Sequence, residues 1–194
     1  MTQNYFLSLR TLFSNRLPTQ AAVALLCIAM TTITVQAANL DPSSYFFQES
    51  FGNFQDELAT AKAEGKKGVM LFFEQNDCPF CARMKRTILN QPEVQQYYRD
   101  NFRIFAVNIE GDVDITDFQG KTISEKDFSF KTHRVRATPV IRFFDLQGKK
   151  VASYTGATGS KKEFLLLGKF VAEGHYKHSS FTKYKREQRK VTTP

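Results

Sequence analysis

The sequence predicts an α/β domain, and three observations carry that expectation. Helical and extended hydrophobic patterns alternate along the body of the chain. The apolar run at residues 69–73 passes within a few residues into Cys78-Pro79-Phe80-Cys81, a strand followed at once by a helix start. The last two strand patterns, at residues 140–144 and 149–154, are joined by Asp145-Leu146-Gln147-Gly148, a good hairpin turn.

Taken in order, Phe51, Phe54, Leu58 and Ala61 recur at helical spacing, and Gly65 supplies a stop signal before the first strand. The helix from Cys78 has Met84, Ile88 and Leu89 as its core-facing candidates. Pro92 is expected to kink or end it, and Val94, Tyr97 and Tyr98 mark a second short helical piece. Residues 102–109 read as another buried strand. The stretch 112–123 alternates Val113, Ile115 and Phe118 with acids and contains Gln119-Gly120, the pattern of an inserted hairpin or loop. Ser124 with Asp127 forms a helix-start signal, although Glu or Gln is usual at the latter position. Residues 160–172 form an amphipathic helix.

The chain has 194 residues and a net charge of +8. Residues 1–40 hold Arg10 and Arg16 and no acid, while residues 174–194 hold six basic side chains and one acidic. The body between is nearly neutral, so the charge does not point to nucleic acid. The excess sits in a basic, apolar-poor terminus at residues 174–194, expected to be a flexible, solvated tail. An acidic partner or an anionic membrane surface is what such a tail would attract.

Residues 1–37 read as a secretory signal peptide. The apolar stretch from Ala21 to Val35 is 15 residues broken by three threonines, short of the roughly 18 that a spanning helix needs. It precedes the small-residue pattern Val35-Gln36-Ala37. Cleavage after Ala37 would leave an exported protein; retention of the segment would leave it as a membrane anchor. Of the three cysteines, Cys27 lies in this segment, so cleavage leaves Cys78 and Cys81 as an isolated pair and excludes a structural disulfide framework. The expected organisation continues with an N-terminal linker at 38–50 and a single domain at 51–173.

Two thiols three positions apart at a helix start can close into a disulfide and reopen. Pro79 fits the first helical turn, where its missing N–H has no intrahelical partner. The Cys78 sulfur would then face free backbone N–H groups and the positive end of the helix dipole. That setting lowers a cysteine pKa from about 8.5 to roughly 3.5–7.5. Cys78 is therefore the candidate attacking sulfur and Cys81 the resolving one.

This order of elements, with Cys78-Pro79-Phe80-Cys81 between strand and helix and Ala137-Thr138-Pro139-Val140 before the terminal hairpin, resembles the thioredoxin fold. That fold is a central mixed sheet flanked by helices. Here it carries an insertion between the central strand and the cis-proline, since 57 residues separate Cys81 from Pro139. The resemblance implies that Pro139 is the cis-proline and that the backbone of Thr138 docks substrate. Phe80, inside the motif, joins them as a substrate-binding candidate. Within the superfamily the chain is similar to exported thioredoxin-related proteins of the SoxW type. Phe73-Glu74, Asn90-Gln91-Pro92-Glu93-Val94, Asn108-Ile109-Glu110-Gly111-Asp112 and Phe143-Phe144-Asp145-Leu146-Gln147-Gly148-Lys149 carry that similarity.

What it implies is a periplasmic thiol–disulfide oxidoreductase that reduces client protein disulfides with electrons from a membrane donor. No cofactor is implied beyond the Cys78–Cys81 dithiol. Thioredoxins carry a buried acid six residues before the first cysteine, where this chain has Phe72. Glu74 lies on the same strand face, one step closer to the motif. It is either an acid–base group for Cys81 or an exposed strand-end carboxylate. Asp77 beside Cys78 disfavours a thiolate unless it points to solvent; Arg83 and Lys85 would offset it, though helix-surface solvation is their simpler role.

The motif leaves direction open. A disulfide-forming oxidase would use the same two sulfurs, and a soft-metal clamp on them, with Met84 or His133 nearby in sequence, is a further rival.

Overall fold

The computed structural model describes residues 40–192. The segment expected to be a signal peptide, its expected cleavage site and Cys27 lie outside the described residues. Among the described residues, no helix is long and apolar enough to cross a membrane.

Helix α1 (Phe54–Ala63) is capped by Asn53, whose side chain accepts from the N–H groups of Gln55 and Asp56. Its exit turns at Gly65, with φ of 68°, where the Lys66 N–H bonds the Ala61 carbonyl at 2.9 Å. Strand β1 (Gly68–Glu74) follows, then α2 (Pro79–Met84), continued by the wider turns of Lys85–Leu89. Pro92 does not kink this helix but opens the next, α3 (Pro92–Asn101), at the position where a missing N–H costs nothing. Strand β2 (Phe102–Asn108) leads to a small hairpin, β3 (Asp114–Thr116) and β4 (Thr122–Ser124). Ser124 accepts from the Asp127 N–H at 3.2 Å and starts α4 (Glu125–Asp127), extended by Phe128–Thr132. Strands β5 (Val140–Phe144) and β6 (Lys150–Thr155) precede α5 (Lys161–Ala172) and α6 (Phe181–Thr192).

The main sheet has the order β2-β1-β5-β6, and β3 pairs with β4 in a second sheet. β1 runs parallel to β2 and antiparallel to β5, which makes the sheet mixed. β1 is central and buried throughout its apolar length, the reason it reads as an unbroken hydrophobic run. Its side chains divide by parity. Met70 and Phe72 join the core built by α2, α3 and α5, which includes Cys78 and Cys81. Val69, Leu71 and Phe73 join Phe54, Ile115, Phe118 and Phe128 on the other face, so the inserted hairpin and α4 pack there with α1.

The two ends of the chain differ from the sequence expectation. The described part of the expected 38–50 linker, from Leu40 on, is no mere linker: Phe46 is fully buried, Phe47 nearly so, and both belong to the core that holds the cysteines. The Gln48 N–H also bonds the Ile104 carbonyl at 2.9 Å on the edge of β2. Phe51, in contrast, precedes the Asn53 cap and is fully exposed rather than helical.

The basic terminus is not a solvated tail through residue 192. It forms α6, whose Tyr184 is buried against Phe170 with ring centroids 5.5 Å apart and stacks on His175. Lys185 reaches Glu163 of α5 at 2.6 Å. Two aromatic side chains one turn apart, Phe181 and Tyr184, supply the apolar contact that the composition conceals.

Candidate active site

Strand β1 ends at Glu74 and the chain turns through Gln75, Asn76 and Asp77 before α2 begins. Cys78 caps that helix: its Sγ accepts from the Cys81 N–H at 3.1 Å, and its carbonyl accepts from the Ala82 N–H at 3.0 Å. Pro79 occupies the first helical position. One turn therefore brings the two sulfurs together, and Cys78 and Cys81 are joined by a disulfide. Cys78 is 7 % exposed and Cys81 2 %, so Cys78 is the more accessible residue of the pair. Asp77 is exposed to solvent and Met84 lies wholly in the core.

A cleft of about 270 Å³ opens over the pair, walled by Glu74, Gln75, Asn76, Ala82, Lys85 and Asn108. Glu74 shares its strand face with Phe72, which is fully buried and in ring contact with Phe47. Being at the strand end, Glu74 is only partly covered, and both its oxygens meet Lys85 Nζ, at 2.9 and 2.8 Å. Lys85 stands one turn beyond Cys81 on the same helix, so it bridges the motif to the strand. The simple solvation role expected for Lys85 does not describe it. The i to i+4 offset from Cys81 was the available signal.

The loop before β5 is tied to the same region. The Thr138–Pro139 bond is cis, and Thr138 Oγ1 donates to Gln75 Oε1 at 3.1 Å. Gln75 is thus shared between the cleft wall and the Pro139 loop, a link the sequence did not signal. Pro139 is buried and does not line the cleft. Phe80 also lies off the cleft, 58 % exposed, with the Arg83 guanidinium 5.8 Å from its ring centroid.

His133 is far in environment from the sulfurs, on the opposite face of the sheet. Phe73, Phe128 and Phe144 surround its ring. Burial pushes its pKa down to about 4, and the positive charges of Arg142 and Lys150 add to the effect against a smaller opposing pull from Asp117. Among the described residues, no cluster of three or more His, Cys, Asp or Glu side chains is placed to hold a metal ion. Glu125, beside the cleft-lining Asn108, has its pKa raised by burial, partly countered by the bond it accepts from the Asn108 N–H.

The fold of this chain also occurs in known proteins. The thioredoxin-like domain family matches residues 54–172. A thioredoxin-fold protein from Helicobacter pylori is 24 % identical, with a TM-score of 0.53, over 66 % of this chain and 88 % of its own. A putative disulphide-isomerase from Bacteroides thetaiotaomicron is 22 % identical, with a TM-score of 0.53, over 71 % of this chain and 97 % of its own. The DsbH oxidoreductase is 19 % identical, with a TM-score of 0.51, over 66 % and 85 %. No curated protein matches the chain. The family match spans well over half of the sequence and contains both cysteines and Pro139, so this chain belongs to the thioredoxin-like domain family.

Proposed function

We propose that the protein is a thiol–disulfide oxidoreductase whose reacting group is Cys78. The supporting observation is the arrangement of the pair: Cys78 caps α2 and is joined to Cys81, the more deeply buried residue of the two. In the reduced protein, the Cys78 thiolate attacks a client disulfide. A bond forms between Cys78 Sγ and one client sulfur, and the other client sulfur leaves as thiolate. Cys81 then attacks Cys78 Sγ, which closes the internal disulfide and releases the second client thiolate. The Cys81 proton passes to Glu74, the carboxylate on the cleft wall. The Thr138 backbone, set by its bond to the buried Pro139, receives the extended client segment, and Phe80 offers it an apolar contact.

The clients are disulfide-bearing exported proteins, and the compartment is the periplasm. This rests on the signal-peptide pattern of residues 1–37 and the SoxW-type resemblance. The same resemblance favours reduction with electrons from a membrane donor; the oxidase direction runs these steps in reverse. Client capture tests the reading. A Cys81→Ser variant expressed with its leader retains client proteins as mixed disulfides on Cys78, whereas a Cys78→Ser/Cys81→Ser variant retains none. Equal capture by both variants contradicts the exchange. The redox state of the native pair in intact cells then separates reductase, found reduced, from oxidase, found bonded.

A further inference from the structure

The surface between α5 and α6 carries a second site, one that shares no lining residue with the cleft over the cysteines. It is a cleft of about 530 Å³. Leu165 and Leu166 of α5, both half-buried, and the buried Tyr184 of α6 give it an apolar floor. Its acids are already engaged. Glu93 pairs with Lys161 at 2.9 Å and Glu163 with Lys185 at 2.6 Å, and Glu173 is hydrogen-bonded to His175 Nε2 at 3.0 Å. Burial would raise the Glu163 carboxyl, but the bonds it accepts from Lys185 and the Gly159 N–H outweigh that and hold it below the usual range.

Arg189 of α6 also lines the cleft; on α5 the cations outside these pairs are Lys162 and Lys169, both exposed lining residues with no carboxylate partner among the described residues. They are two helical turns apart, about 10 Å along the axis. Leu165 and Leu166 stand between them on the same face, because positions i, i+3, i+4 and i+7 coincide on a helix. The stripe is an apolar centre bracketed by two positive charges.

We propose that this stripe docks an acidic amphipathic helix of a partner protein, with carboxylates two turns apart over Lys162 and Lys169 and bulky apolar residues between them. Charge complementarity selects the carboxylates, and the apolar floor selects what lies between. A flat anionic bilayer matches this site less well, since a concave floor stays out of its reach. Lipid headgroups would instead meet Lys183, Arg186 and Lys190, exposed on α6. The inference is independent of the proposed redox chemistry.

The test uses the full chain and a fluorescein-labelled helical peptide with Glu at positions 1 and 8 and Leu at positions 4 and 5. A matching peptide carries Gln for both Glu, and vesicles of phosphatidylglycerol provide the lipid arm. The expected result is saturable peptide binding in fluorescence anisotropy, weakened about 10-fold or more by Lys162→Glu/Lys169→Glu and equally by the Gln peptide. Disulfide exchange with a small-molecule disulfide should be unchanged in that variant. Both substitutions are at exposed positions, and an unchanged melting temperature verifies the fold. No saturable binding, equal binding of the two peptides, or binding indifferent to the double substitution overturns the proposal. Lys162- and Lys169-dependent binding to the vesicles without binding to the peptide overturns it in favour of lipid.

Discussion

Glu74 and Lys85 meet at 2.8 Å on the wall of the cleft that holds the Cys78–Cys81 disulfide. One comes from the end of the central strand and the other from the helix that begins at Cys78, so the ion pair fastens the two elements that position the sulfurs. If Glu74 accepts the Cys81 proton, Glu74→Gln slows release of a preformed mixed disulfide by about 10²-fold at neutral pH. The first attack by Cys78 remains near its native rate. Rapid-quench kinetics on a glutathione mixed disulfide checks this. Release at the native rate would leave Glu74 only as the partner of Lys85.

Stability should fall on mild acidification because of His133. The unfolded side chain takes up a proton near pH 6.5, whereas the folded one resists until about pH 4. Between those values the unfolded state binds more protons, so stability is complete above the window and is lost as pH drops through it. The group's share is on the order of 3 kcal/mol. Urea unfolding at pH 7 and pH 4.5 measures the loss, and His133→Phe is expected to flatten the profile in this range.

Docking of α6 predicts that Tyr184→Ala destabilises the protein by about 2–3 kcal/mol, since it strips an aromatic side chain from Phe170 and His175. Chemical denaturation is again the measurement. A change near zero would mean that the terminus is solvated, as its composition alone suggests.

The contrast between Tyr184 and Phe73 explains how much of the fold was legible in the sequence. Phe73 lies in an uninterrupted apolar run, and such a run in a central strand announces itself because both faces are buried. The hairpin of β5 and β6 was equally plain from Asp145 to Gly148. Tyr184 is one of few apolar residues among six cations, and the periodicity of a single buried turn is lost in that background. Phe46 and Phe47 were hidden for a related reason: they lie outside any regular pattern, and only long-range packing against Phe72 and Tyr98 reveals their place. Asn53 was a missed local signal, since a cap there starts α1 beyond Phe51.

The candidate site divides in the same way. Cys78, Cys81 and the side of the strand on which Glu74 lies follow from spacing alone, because helix and strand periods dictate them. Lys85 and Gln75 do not. The offset of Lys85 from Cys81 places it on the motif's side of the helix, but both roles depend on how the helix and the Pro139 loop meet the strand end, a tertiary relationship that the linear pattern does not contain.

Alkylation of the fully reduced protein by iodoacetamide, followed across pH with the modified cysteine identified by mass spectrometry, tests the central assignment most directly. Cys78 is expected to react first, with a titration midpoint at least about one unit below the ordinary thiol value of roughly 8.5. Modification that begins at Cys81, or a Cys78 midpoint at or above that ordinary value, would contradict it.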